Sequence, residues 1–252
     1  MLRVPTVERA TAGYDLVLLS NKAYDLDSAM EAVAPAVGAG AAVLPVINGM
    51  RHMDALDARF GAERVMGGWC GISSTLDADG TVRQLTKTQM VRFGERDGRR
   101  TERVSAIEET MAGANFDGKA TADIVQEMWE KWVLLATLAG MTCLMRASVG
   151  TIMEAPGGEA LMLRLLEECG RTAAANGYEP RAEGWQRARR MLTERGSGFT
   201  ASMLRDVENG GRTEADHILG DLLERARERG VDAQILEIAY CHLKAFEHRG
   251  QI

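Results

Sequence analysis

Apolar and polar positions divide the chain into two unlike halves. In YDLVLLSNKAYD an apolar block predicts a buried strand over 16–19 that ends in a polar turn, Ser20 to Lys22. LDSAMEAVAPAVG follows with helical spacing and closes on Pro35 and Gly38. AAVLPVINGM repeats the theme, with a short apolar strand over 43–47, the pair Asn48 and Gly49, and a helix in MDALDARFG. Strand, helix, strand, helix at this spacing predicts parallel α/β architecture. Ligands bind such sheets at the carboxyl ends of the strands, so position alone singles out Lys22 and Asn48, although a plain surface turn explains each equally well. After Val65, two alternating runs flank DADG, which predicts a hairpin at the edge of a mixed sheet. SAIEETMAGANFDGKAT then holds one helix and a loop, and this loop sets the expected domain boundary at about 118.

Beyond it the pattern is helical. Helices are expected over 123–149, 156–176, 181–194, 200–208, 213–229 and 232–247, separated by APGG, NGYEP, RGSG, NGG and RG. The first is an almost continuous apolar run with a cation, Lys131, near its start. It is expected to open at Asp123 with Gln126 as a reciprocal cap. A lysine followed by Trp132, Val133, Leu134 and Leu135 must snorkel, meet a carboxylate or face a cleft, because an unpaired buried ammonium costs several kcal/mol.

Composition narrows the classes. The 252 residues, 46% of them apolar, suffice for a sizeable core in one or two domains. A net charge of -6 without long blocks argues against a nucleic-acid surface, which needs a clustered positive field. Cys70, Cys143, Cys169 and Cys241 lack ligand spacing, and His52, His217, His242 and His248 form no HExxH or HxH pair, so no metal is expected. The polar N-terminus reads as no signal peptide. Gly140, Thr142 and Arg146 interrupt the longest apolar run, so no membrane span is expected and a cytoplasmic location is.

Three stretches taken together, LLSNKAYD, PVINGM with MDAL, and EMWEKW, resemble the ketopantoate reductase family, and SMLRDVENGGRTEADHILGDLLERARERGV resembles its closing signature. The resemblance covers essentially the whole chain in order. It implies an α/β fold: a partial Rossmann-type NADP-binding domain over 1–118, then an all-helical C-terminal domain over 119–252. It also implies reduction of a 2-keto acid, 2-dehydropantoate or a less polar relative, to the 2-hydroxy acid with NADPH. The family's proton-supplying lysine falls on Lys131, its nicotinamide- and substrate-facing asparagine on Asn48, and a cofactor-holding lysine on Lys22. Its glutamate falls on Glu214, open to orienting Lys131, to accepting from a cofactor or substrate hydroxyl, or to plain dipole placement at a helix start, and its substrate-contacting serine falls on Ser202. A homodimer through the helical domain is expected as well.

Two departures qualify this. Many members carry amides one and two turns after the lysine, where this chain has Leu135 and Ala139, so that wall of the pocket is expected to be apolar and the substrate less polar. The glycine-rich dinucleotide fingerprint is also missing: the chain has no GxGxxG, and GAGAAV from Gly38 lies before a strand rather than between strand and helix. Against the family layout about one βαβ unit, roughly 50–70 residues, is expected to be lacking from this chain. An incomplete enzyme is therefore expected, with apolar strand edges exposed over 15–20 and 43–47 and a poorly soluble first half. The alternative is a non-catalytic truncated remnant that acts as a helical dimerisation or interaction module.

Overall fold

A computed structural model describes residues 5–77 and 79–249, which gather into two compact units. The first comprises the residues up to Ile47 together with Arg51–Val125; the second takes Asn48–Met50 and everything from Gln126.

In the first unit β1 (Leu16–Leu19) leads through a single 3-10 turn, Ala23–Asp25, to α1 (Leu26–Gly38), and β2 (Ala42–Pro45) leads to α2 (Arg51–Phe60). β1 and β2 pair in parallel, Leu16 opposite Ala42 and Leu19 opposite Pro45. Val65 bridges Val43 from the other side, also in parallel, so β2 is flanked on both edges and fully buried. The expectation of an exposed edge over 43–47 is thereby corrected. β1 keeps the exposed character, with Leu18 50% accessible.

The hairpin is β3 (Gly67–Leu76) and β4 (Val82–Gly94), antiparallel, with an irregularity between Ile72 and Ser74. α3 (Glu102–Ala112) follows, its first turn capped by the Thr101 hydroxyl, which accepts from the Val104 N–H. The stretch expected to be a boundary loop forms β5 (Asp117–Ala120), parallel to β4, so residue 118 lies inside a strand of a mixed three-stranded sheet. Two glycines let this unit close. A Cβ on Gly94 would stand 2.2 Å from the Thr121 carbonyl oxygen, and one on Gly67 2.8 Å from the Ile124 side chain.

One ion pair in this unit carries a pH signature. Glu95, buried, accepts from Arg103 Nε at 2.7 Å and Nη2 at 2.6 Å, and from the Thr101 hydroxyl at 2.6 Å. The Arg103 hydrogen bonds hold its carboxyl below the ordinary value of 4.5, against burial, which raises it. Because the folded-state value is the lower one, the stabilisation is present above the unfolded carboxylate range and is lost as pH falls through the folded value. Glu95→Gln is expected to lower the unfolding free energy at pH 7 by about 2 kcal/mol, the usual loss for a broken buried pair discounted for the solvent reaching Arg103. Urea unfolding at pH 7 and pH 4 checks it, since the difference between variant and parent should narrow at the lower pH.

α4 (Ile124–Met145) enters the second unit from Gln126 onward. Its buried face carries Met128, Trp129, Trp132, Val133 and Ala136, while Glu127, Lys131 and Leu135 lie four apart on the half-buried side. The expected Gln126 cap does not form: its amide donates to Glu130 Oε1 and to the Glu179 carbonyl. The helix also stops short of 149. Arg146 takes a left-handed φ of 51°, and the N–H groups of Val149 and Gly150 donate to the carbonyls of Phe199 and Ser197, so a second segment captures the donors that would have continued the helix.

α5 (Val149–Glu154), α6 (Gly158–Ala175), α7 (Ala182–Leu192) and α8 (Ser202–Glu208) follow. A five-residue π-turn, Asp216–Gly220, then runs directly into α9 (Asp221–Glu228), and α10 (Gln234–Arg249) closes the unit. Glu168, buried on α6, caps α10 by accepting from the Ile235 and Leu236 N–H groups at 3.2 and 2.9 Å. Among the described residues, no helix is long and apolar enough to cross a membrane.

Candidate active site

Asn48 and Gly49 form the turn between β2 and α2, and with Met50 they pack with the second unit. Gly49 needs its lack of a side chain twice over. Its φ is 81°, and a Cβ there would lie 2.9 Å from Cδ2 and 3.0 Å from the carbonyl oxygen of His217. The turn is therefore seated against the π-turn, and it presents Asn48 to α4.

Lys131 Nζ donates to Asn48 Oδ1 at 2.8 Å, both side chains half-buried. The structure gives this lysine an amide acceptor 83 residues away in the chain. A neutral amide aims an ammonium without neutralising it, whereas a carboxylate in the same place would offset its charge. Around the lysine α4 is held rigidly. Trp132 donates its indole N–H to the Ile218 carbonyl at 2.9 Å, Trp129 stacks on Tyr178 with ring centres 5.2 Å apart, and the Arg225 guanidinium lies over both indoles.

The other residues singled out by sequence fall at distinct places. Glu214, 7% exposed, sits just before the π-turn, and its carbonyl accepts from the His217 and Ile218 N–H groups. Since Ile218 also holds Trp132, the segment bearing Glu214 and the helix bearing Lys131 share an anchor. Ser202 opens α8 and is exposed; the preceding residue, Ala201, donates its N–H to Thr142 Oγ1 on α4 at 3.4 Å. Leu135 is half-buried one turn after Lys131, whereas Ala139 is only 3% exposed, so of the two apolar replacements Leu135 alone remains accessible on that face.

Lys22 belongs to the first unit, immediately beyond the carboxyl end of β1. Beside it the Asn21 amide donates to the Lys22 carbonyl at 2.8 Å, while its Oδ1 is buried with no hydrogen-bond partner among the described residues.

His217, Trp132 and Asn21 are not found by sequence reasoning. His217 was visible only as a histidine without a metal-binding partner, although its place in TEADHILG beside Glu214 was a usable signal. Among the described residues no group of metal-ligating side chains assembles. The buried thiols of Cys143 and Cys169 are pushed up to about 12 by burial, which keeps them protonated and unreactive.

Comparison with known proteins covers both units. Residues 2–98 match the family described as ketopantoate reductase PanE/ApbA, and residues 123–247 match its C-terminal family, ketopantoate reductase PanE/ApbA C terminal. The chain is 33% identical over 237 residues to the uncharacterized oxidoreductase YkpB of Bacillus subtilis, covering 94% of this chain and 78% of that one. Among solved structures it is similar to 2-dehydropantoate 2-reductase from Geobacter metallireducens, with a TM-score of 0.83, 25% identity and coverage of 93% and 78%. It shares its fold with D-mandelate dehydrogenase, solved with NADH and anilino(oxo)acetate, at a TM-score of 0.84, 17% identity and coverage of 94% and 77%.

Proposed function

The chain belongs to the ketopantoate reductase family and is an oxidoreductase, and on that premise we propose that it reduces a 2-keto acid to the 2-hydroxy acid with Lys131 as the proton donor. The observation that carries the reading is the 2.8 Å bond from Lys131 Nζ to Asn48 Oδ1. It fixes a cation near the start of a helix whose flanking tryptophans are held in place.

The chemistry asks for such a group. When bound, the nicotinamide dinucleotide supplies a hydride to the carbonyl carbon. As the carbon–oxygen double bond opens, negative charge grows on oxygen, and a preorganised ammonium stabilises that charge more in the transition state than in the ground state. Lys131 then transfers a proton to the oxygen, completing the hydroxyl, and recovers one from solvent. Asn48 keeps the ammonium aimed throughout. Glu214 is assigned to orienting Lys131 or accepting from a cofactor or substrate hydroxyl, and Ser202 to substrate contact.

For the dinucleotide, residues in the first unit fit. Asn21 offers a buried acceptor that lacks a donor, suited to a ribose hydroxyl, and Lys22 beside it is a cation suited to a phosphate. NADPH is the proposed reductant, with Lys22 and Asn48 as its contacts. The proposed substrate is 2-dehydropantoate or, given Leu135, a less polar 2-keto acid, because a wall without hydrogen-bond partners discriminates against a hydroxylated substrate.

Steady-state rates with 2-dehydropantoate and a series of less polar 2-keto acids, each with NADPH and with NADH, test the proposal. The expected result is turnover of a keto acid with kcat/KM rising as polarity falls. Leu135→Asn is expected to move kcat/KM toward 2-dehydropantoate by about tenfold or more. Failure of every keto acid to oxidise either dinucleotide would refute the function.

A further inference from the structure

One side chain touches both ends of the π-turn. Tyr240, on α10, donates its hydroxyl to Asp216 Oδ1 at 2.6 Å, and its ring lies over Gly220, where a Cβ would come within 3.0 Å of Cε2. Asp216 and Gly220 are the first and last residues of that turn.

Lys244, one turn further along α10, donates to the other oxygen of Asp216 at 2.9 Å and to Glu247 Oε2 at 2.6 Å. Glu247 Oε1 accepts from the Thr213 hydroxyl, and the same Thr213 oxygen accepts from the Ala215 N–H at 3.1 Å. The two neighbours of Glu214 are thus joined to each other and, through Glu247, to α10. On its other side the π-turn receives the indole N–H of Trp132, the residue next to Lys131.

A π-turn packs an extra residue into a helical turn and persists where surrounding contacts hold it. Here the contacts come from α10, which contributes nothing to the site as derived above. Burial, and then the bond to Asp216, raise the Tyr240 pKa above its ordinary value, so the hydroxyl keeps its proton and remains a donor. At Lys244, burial works to lower the pKa, but Asp216 and Glu247 more than offset it and the ammonium stays charged.

We propose that Tyr240 and Lys244 are positioning residues of the reductase, clamping the π-turn so that Glu214 and Lys131 stand in working register. The inference rests on the roles given to those two residues under Proposed function.

The test is a set of variants of the whole protein, assayed with its best 2-keto acid at saturating dinucleotide. Tyr240→Phe keeps the ring over Gly220 and removes only the hydroxyl. Its kcat is expected to fall about tenfold, with KM, dinucleotide affinity and unfolding midpoint little changed. Lys244→Met should give a similar loss and Lys244→Arg should recover most of it. In a Glu214→Gln background, Tyr240→Phe should cost little further, since residues acting through one group are not additive.

Wild-type kcat in both Tyr240→Phe and Lys244→Met would overturn the clamp. So would a full tenfold loss that adds undiminished to that of Glu214→Gln, the mark of a merely structural role. Glu214→Gln with wild-type turnover is a distinct result: it removes the role given to Glu214 itself, and the clamp with it.

Discussion

Replacing Lys131 by alanine is expected to lower kcat for keto-acid reduction by a factor of about 10² or more while dinucleotide affinity stays nearly constant. The expectation follows from where the side chain is held. A lysine that merely snorkels past an apolar surface has its ammonium in water, and its removal costs a little stability and no chemistry. Lys131 instead spends a hydrogen bond on Asn48, half-buried, beside two buried tryptophans. Removing the side chain takes away both the stabilising charge and the proton. Lys22→Ala should show the opposite emphasis, weakening the dinucleotide with kcat at saturation largely retained. Stopped-flow or steady-state turnover together with a binding titration for the two variants separates these outcomes. A Lys131→Ala enzyme with the parent's kcat would end the assignment.

Gly49→Ala is expected to be nearly as damaging, although it removes no functional group. A non-glycine residue at φ 81° costs about 1 kcal/mol in backbone strain, and the new Cβ would overlap the imidazole and the carbonyl oxygen of His217 at 2.9 and 3.0 Å. The ring can move aside; the carbonyl, fixed in the π-turn, cannot without disturbing the turn. The Asn48–Gly49 turn must therefore shift, and Asn48 with it, which misdirects the lysine. Misplacements of this order cost one to two powers of ten in rate, so kcat is expected to fall at least about tenfold and thermal stability to drop measurably. Unchanged kcat with an unchanged unfolding midpoint would mean that the turn is looser than its packing implies.

Much of the local structure was legible because it depends on near neighbours. The apolar block at Leu16–Leu19, the helix opening at Leu26, the alternating runs on either side of DADG and the glycines that end the later helices each act within a few residues. Errors arose where distant segments decided. β5 forms in a stretch with weak strand character because β4 offers a parallel partner through Met90 and Val91. α4 ends at Met145 because the 197–199 segment captures its next donors. Gln126 leaves the capping position because Glu130 and Glu179 offer its amide better partners. The π-turn leaves no trace in hydrophobic spacing, since the side chains that contact it lie on α4 and α10.

The sequence by itself determined most of the order of elements, the two unlike halves, the family, and the residue types available for chemistry, Lys131, Asn48, Glu214, Ser202 and Lys22 among them. Those depend on spacing and side-chain identity, which are properties of the chain. Only the tertiary structure decided that Lys131 meets the Asn48 amide, that Ala139 is buried while Leu135 stays accessible, and that the Gly49 turn rests on His217. The physical reason is that a buried donor takes whatever acceptor the packing delivers, and that acceptor comes from a segment whose distance along the chain no local pattern records.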